Sequence, residues 1–304
     1  MAARKRFAPV GAYLVIYLGF LWLLHAREGL SVAEPLMILA IIGGGFTLAA
    51  WLLCLRVPAR DWLVREPRTE SLAMVALWFA VTMFVTWGLP SLRAAGGVAG
   101  EASVLAGKLA VFVFVPVALF GWLWRYRPGE LLQWPPDYRG QWLPLLGVSV
   151  LLVAFQLVAG RAPRDLAALD PSLAQVALVL PVAALWLVLE VGLVEEFFFR
   201  ALLQSRLAAW TRSPATAIVI TALLFGLMHS PGLYLRPEIT GEAVGAAPSL
   251  LHAVGYSVLI TSTTGFFLGV LWHRTRNLWL LAIVHAVNDL VPGLDDFIRL
   301  FTGQ

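Results

Sequence analysis

The chain has 304 residues, of which 60% are hydrophobic and only 13% charged, and its mean hydropathy is +0.81. A soluble domain carries about 25% charged residues, so too few polar side chains are present here to clothe a water-facing surface, and disorder and collagen are excluded on the same figures. The single cysteine, Cys54, excludes a disulfide framework and a cysteine-based zinc site, and a net charge of +4 in so apolar a chain reads as membrane orientation rather than a nucleic-acid footprint.

A helix crossing the hydrocarbon core needs about 20 mostly apolar residues. Such stretches lie near residues 7–25, 35–55, 72–90, 103–124, 142–160, 175–209, 213–230, 250–272 and 278–293. They predict an all-α, polytopic transmembrane bundle of about nine spans, the sixth too long for a simple crossing and the last short. The apolar runs are continuous and do not alternate, which argues against barrel strands. Polar stretches at 55–70, 125–141 and 231–249 hold turn-forming prolines, Pro135, Pro136 and Pro237 among them. The first segment ends near Ser31-Val32-Ala33, which looks like a cleavage site. Its apolar run over 7–24 exceeds the roughly 7–15 residues of a signal-peptide core, so a retained anchor is expected. Residues 1–172 hold about five spans with nothing diagnostic, and residues 173–304 hold the remaining spans as a second expected region.

Orientation follows from the basic residues. Arg4, Lys5 and Arg6, then Arg56, Arg60, Arg65 and Arg68, Arg125, Arg127 and Arg139, Arg206 and Arg212, and Arg274 and Arg276 fall on one side, fourteen against six on the other. Strict alternation of rich and poor loops places the N-terminus in the cytoplasm, with the cell (inner) membrane as the expected location.

An Asp, Lys or Arg at the centre of a membrane helix costs about 2.5–3.5 kcal/mol, so ionisable groups at depth mark function. They are Lys108, Glu190, Glu195, Glu196, Arg200, His229, His285 and Asp289, six of which gather in three clusters of the C-terminal region. In Glu195-Glu196-Phe197-Phe198-Phe199-Arg200, Glu196 and Arg200 are four apart in the favourable order for a helical ion pair, leaving Glu195 turned about 100° away toward a cavity. Reading Arg200 as a plain membrane anchor leaves the adjacent acids unexplained. The second cluster, Phe225-Gly226-Leu227-Met228-His229, contains a histidine that alone would read as a core residue. In the third, His285 and Asp289 share a helix face, so the carboxylate can orient the imidazole, the plainer reading being a helix-end cluster. Glu195 lies 17 residues before Arg212 and His229 lies 17 after it. An antiparallel hairpin turning at Arg212 would therefore set both at one depth, roughly 25 Å along each helix, where they could share a water. Lys108 and Glu190 could pair across helices; His252 and His273 are assigned no catalytic part. There is no H-E-x-x-H, no glycine-flanked nucleophilic serine and no aspartyl dyad.

The three clusters, in this order, resemble the CPBP family of CAAX proteases and bacteriocin-processing enzymes, also called Abi, whose motifs are E-E-x-x-x-R, F-x-x-x-H and H-x-x-x-N/D. They stand here as Glu195-Glu196…Arg200, Phe225…His229 and His285…Asp289, and the resemblance covers roughly residues 175–295. It implies an intramembrane endopeptidase acting on a membrane-anchored protein or peptide, with Glu195 as general base and His229 as its partner. His285 and Asp289 would orient or stabilise the oxyanion, and Glu196 and Arg200 would support Glu195. Aspartate at the last motif position cannot donate a hydrogen bond unless protonated, so tuning His285 suits Asp289 better. Catalysis without a cofactor is favoured. Zinc is the alternative, held by Glu195, His229 and His285, but it would take the carboxylate needed as base.

Two other classes compete. A proton-coupled transporter would predict repeated halves, and the first half has no counterpart to the three clusters. A non-catalytic scaffold or immunity-type protein would not need the motifs intact.

Overall fold

The computed structural model describes residues 2–58, 60–134, 138–236 and 248–303. Pro135, Pro136 and Pro237, and the side chains of Arg4, Lys5 and Arg6, lie outside the described residues. Among those described there is no strand. Eight helices are long and apolar enough to cross a membrane: α1 (Ala8–Glu28), α2 (Ala33–Leu53), α3 (Pro67–Arg93), α4 (Gly97–Trp124), α5 (Trp142–Ala159), α6 (Leu173–Thr211), α7 (Pro214–Leu235) and α8 (Leu250–Thr275). Each falls on one of the first eight apolar stretches of the sequence.

The ninth stretch is not one short span. It forms α9 (Leu278–Leu290) and α10 (Leu294–Thr302), bent by 77° at their junction. Pro292 has no N–H to continue the ladder, and the Gly293 N–H closes on the Asp289 carbonyl at 3.0 Å. Thirteen residues rise only about 20 Å, well short of a hydrocarbon core of roughly 30 Å.

Several helices contain turns wound in π geometry, and two of these flank the adjacent glutamates of α6, at Val188–Leu193 and Phe197–Gln204. Side-chain bonds there span five residues: Ser205 Oγ donates to the Arg200 carbonyl at 3.1 Å and Arg206 Nη1 to the Ala201 carbonyl at 2.8 Å. The α-helical register assumed from Glu196 to Arg200 is thus replaced by a wider turn. Phe197, Phe198 and Phe199 are all fully buried although three successive residues sweep about 200°, so α6 is enclosed all round at this level.

The chain divides into two compact units. One comprises Met1–Trp51, Trp62–Thr86 and Phe199–Arg274. Its core joins Tyr13, Tyr17, Leu21 and Leu24 of α1 to Val219 of α7 and Leu259 of α8. Tyr13 satisfies its hydroxyl on Ser262 at 3.0 Å and Thr263 at 3.1 Å, as a phenol buried in an apolar helix must. Here α6 ends at Thr211, Arg212 adopts a left-handed conformation (φ 51°), and Ser213 caps α7 by accepting from the Thr216 N–H. The hairpin expected at Arg212 therefore forms.

The other unit comprises Leu52–Asp61, Trp87–Phe198 and Thr275–Gln304. It packs α5 and the first part of α6 against α9, with α4 on the same part of α6, and α10 buries Leu294 and Ile298 against Val179 and Ala183 of α6. Gln141 Nε2 donates to the Thr275 carbonyl at 3.1 Å and Gln133 Nε2 to the Arg276 carbonyl at 2.6 Å, fixing where α9 begins.

Candidate active site

The first and third motifs meet because α6 and α9 approach to backbone contact. A Cβ on Gly192 would lie 2.1 Å from the Ala282 carbonyl oxygen, a separation no side chain tolerates. Three to four residues further along each helix stand Glu195-Glu196 and His285. His285 Nδ1 lies 2.8 Å from Glu196 Oε1, with both side chains buried. A carboxylate accepts, so Nδ1 carries the proton and Nε2 is the ring's working nitrogen. Asp289 Oδ2 stands 3.8 Å from that Nε2, beyond hydrogen-bond reach. Glu196 thus holds the imidazole at hydrogen-bond distance, and Asp289 faces it as the more distant ion-pair partner that the four-residue spacing suggested. Asp289 Oδ1 instead accepts from Asn288 Nδ2 at 2.8 Å, and the Asn288 carbonyl accepts from Gln156 of α5.

Glu195 is only 6% exposed, yet its carboxylate makes no hydrogen bond to any described residue. Lys108 of α4 pairs with Glu190 of α6 at 3.0 Å, as their isolation in apolar sequence suggested, and Trp186 Nε1 donates to the other Glu190 oxygen at 2.7 Å.

Arg200 and His229 belong to the first unit. The Arg200 guanidinium lies over the Phe225 ring, 4.7 Å from its centroid, and donates to the Gly265 carbonyl at 3.4 Å. His229 Nδ1 lies 2.8 Å from the Phe225 carbonyl, one turn back on α7. A carbonyl can only accept, so this nitrogen also carries its proton and Nε2 of the neutral ring is a base. Gly226 permits the approach of α8: an added Cβ would meet the Ser257 carbonyl oxygen at 2.5 Å and Ser262 at 2.9 Å.

Arg206, counted in the sequence as a loop residue, is fully buried in the last turns of α6. Its Nε donates to Glu70 at 2.9 Å, and neither side chain is exposed. A buried arginine with a carboxylate partner does not report orientation as a loop arginine does. His252 pairs with Glu28 at 2.8 Å, and His273 is exposed at the end of α8; neither enters the candidate site. Sequence reasoning gave no part to Gly192, Gly226 or Gln156. A glycine inside an apolar span, three residues from a charged pair, was the available signal for Gly192.

Among the described residues no group of three His, Cys, Asp or Glu side chains is placed to hold a metal ion.

These features define an integral membrane protein whose helices carry buried carboxylates and a buried imidazole. Residues 177–291 match the family model described as Rce1-like, type II CAAX prenyl endopeptidase. The stretch bearing all three motifs, just over a third of the chain, is therefore similar to this branch of the CPBP family, as the motifs implied. The match supports CAAX-type intramembrane endopeptidase activity in general. No curated protein and no solved structure matches the chain.

Proposed function

We propose that this protein is a cofactor-independent, glutamate-type intramembrane endopeptidase that hydrolyses a peptide bond of a membrane-anchored protein or peptide. The observation that carries the reading is the divergence of the two adjacent glutamates: Glu196 is engaged by His285, while Glu195 is buried without a hydrogen bond to a described residue. A carboxylate so placed has its lone pairs available for water.

In the proposed reaction Glu195 takes a proton from water as the hydroxide attacks the scissile carbonyl carbon, then returns it to the departing amine as the C–N bond breaks. His229, with its proton on Nδ1, is proposed to offer Nε2 as the accepting atom for water, the part that the F-x-x-x-H motif implies. His285, held by Glu196, turns Nε2 toward the developing oxyanion; as imidazolium it donates there. Asp289 acts on His285 rather than on the oxyanion. Glu196 and Arg200 hold the turn that carries Glu195. Cleavage near a prenylated C-terminal cysteine, or removal of a leader or sorting tail, are the substrate classes this chemistry serves.

The test is Glu195→Gln in the purified full-length protein, assayed in proteoliposomes on a farnesylated Cys-a-a-X peptide and on a membrane-anchored leader peptide. The amide keeps the shape but removes the proton acceptor, so turnover falls by about 10²–10⁴ while the protein still folds. An excess of zinc chelator leaves the wild-type rate unchanged. A fully active Glu195→Gln protein would overturn the assignment of the base, and a rate abolished by chelator and restored by zinc would overturn the metal-free reading.

A further inference from the structure

Lys108 lies in α4, outside the matched region, and the mechanism above does not use it. Its ammonium contacts Glu190 at 3.0 Å with both side chains nearly enclosed, 13% and 11% exposed. Trp186 holds the second Glu190 oxygen, so the carboxylate is fixed from two sides and tethers the lysine in turn. Immediately after Lys108, the turn Leu109–Phe114 packs against Val194–Glu196, and the Phe112 ring lies 5.6 Å from that of Phe198. The chain thus carries Lys108 alongside the adjacent glutamates. Glu190, Glu195, Glu196 and Asp289 bring four carboxylates to this part of the unit, where an uncompensated charge is expensive.

We propose that Lys108 is a positioning residue for the reaction: tethered by Glu190, it supplies the fixed positive charge that compensates the Glu195 carboxylate. This rests on Glu195 being the base. It also gives the N-terminal spans a part in catalysis, since α4 contributes the cation. A pair that merely fastened α4 to α6 would behave differently, because a buried ion pair of that kind can be exchanged for two neutral residues without loss.

The experiment uses the full-length protein in proteoliposomes with the same two substrates, comparing Glu195→Gln, Glu190→Gln, Lys108→Arg and the double variant Lys108→Met/Glu190→Gln. The double variant leaves no orphaned charge in the pair. It is expected to melt as the wild type does, with kcat lowered about 10–100-fold and KM unchanged. Glu190→Gln, which keeps the cation, turns over faster than the double variant, and Lys108→Arg retains most activity. Adding Glu195→Gln to the double variant slows it no further than Glu195→Gln alone, as residues acting as one unit require. A folded double variant at the wild-type kcat, beside an inactive Glu195→Gln, overturns the role of Lys108 and leaves the base intact. A fully active Glu195→Gln removes the base and this inference with it. If the double variant does not fold, the exchange Lys108→Glu/Glu190→Lys decides: it keeps the pair but moves the cation to α6, and full activity there overturns the proposal.

Discussion

His285 Nδ1 lies 2.8 Å from Glu196 Oε1, joining residues 89 apart in the chain and locking one of two adjacent glutamates to the imidazole of the third motif. Neighbours in sequence therefore have different surroundings: one holds a ring, and the other makes no hydrogen bond to a described residue.

Replacing Glu196 by Ala and by Gln should separate orientation from charge. Alanine leaves a buried N–H without its acceptor, an expected loss of about 1–3 kcal/mol in stability together with activity. Glutamine still offers an oxygen to Nδ1–H but removes the negative charge beside the ring. Its thermal unfolding should stay closer to wild type while turnover drops. Equal stability losses in the two variants would mean that Glu196 acts through charge alone.

Gly192→Ala tests the approach of α6 to α9. The new methyl would meet a backbone oxygen at 2.1 Å, and a helix cannot yield as a flexible side chain does. Overpacking of this kind costs about 1–3 kcal/mol or more, and separating the helices would also part Glu196 from His285. Gly19→Ala in α1 is the control, since nothing lies within 4 Å of the added carbon. Thermal melts and cleavage rates should both fall for Gly192→Ala and stay level for Gly19→Ala.

The helical spans and the three motifs were legible because apolar length and buried charge are local properties of the sequence. Eight spans fall where continuous apolar runs predicted them, and the hairpin at Arg212 forms. The pairings were not legible in the same way. Arg206 finds Glu70 across 136 residues, a contact set by which helices pack together, whereas the Lys108–Glu190 pair was already suggested by two lone charges in apolar sequence. A fixed α-helical period also does not foresee the π turn at Phe197–Gln204, which widens the spacing beyond Glu196. His285 and Asp289 do share a face, but 3.8 Å and a nearer carboxylate leave Asp289 the lesser partner.

Asp289→Asn should therefore be tolerated. The amide preserves an acceptor for Asn288 Nδ2 and adds a donor at a site where the resembled family uses either residue. Cleavage is expected within about threefold of wild type, a change of under 1 kcal/mol in the barrier. Asp289→Ala removes the acceptor as well and should be slower than Asp289→Asn. A dead Asp289→Asn protein with normal folding would show that the negative charge itself is required.

The membrane topology is tested by cysteine labelling in a Cys54→Ala background. With the N-terminus cytoplasmic, as the basic loops suggest, Arg65→Cys should label from the cytoplasmic face and Arg161→Cys from the opposite one. Thr302→Cys addresses the broken ninth segment. In that orientation eight crossings would return the chain to the cytoplasmic side at Arg274 and Arg276, and α9 would then rise about 20 Å into a roughly 30 Å core. α10 turns away by 77° and carries Asp295, Asp296 and Arg299, charges that demand an aqueous boundary. The nearer boundary is the outer one, so Thr302→Cys should label from outside. Labelling from the cytoplasm would make α9 and α10 a re-entrant pair, and labelling of Arg65→Cys and Arg161→Cys from one face would discard the orientation altogether.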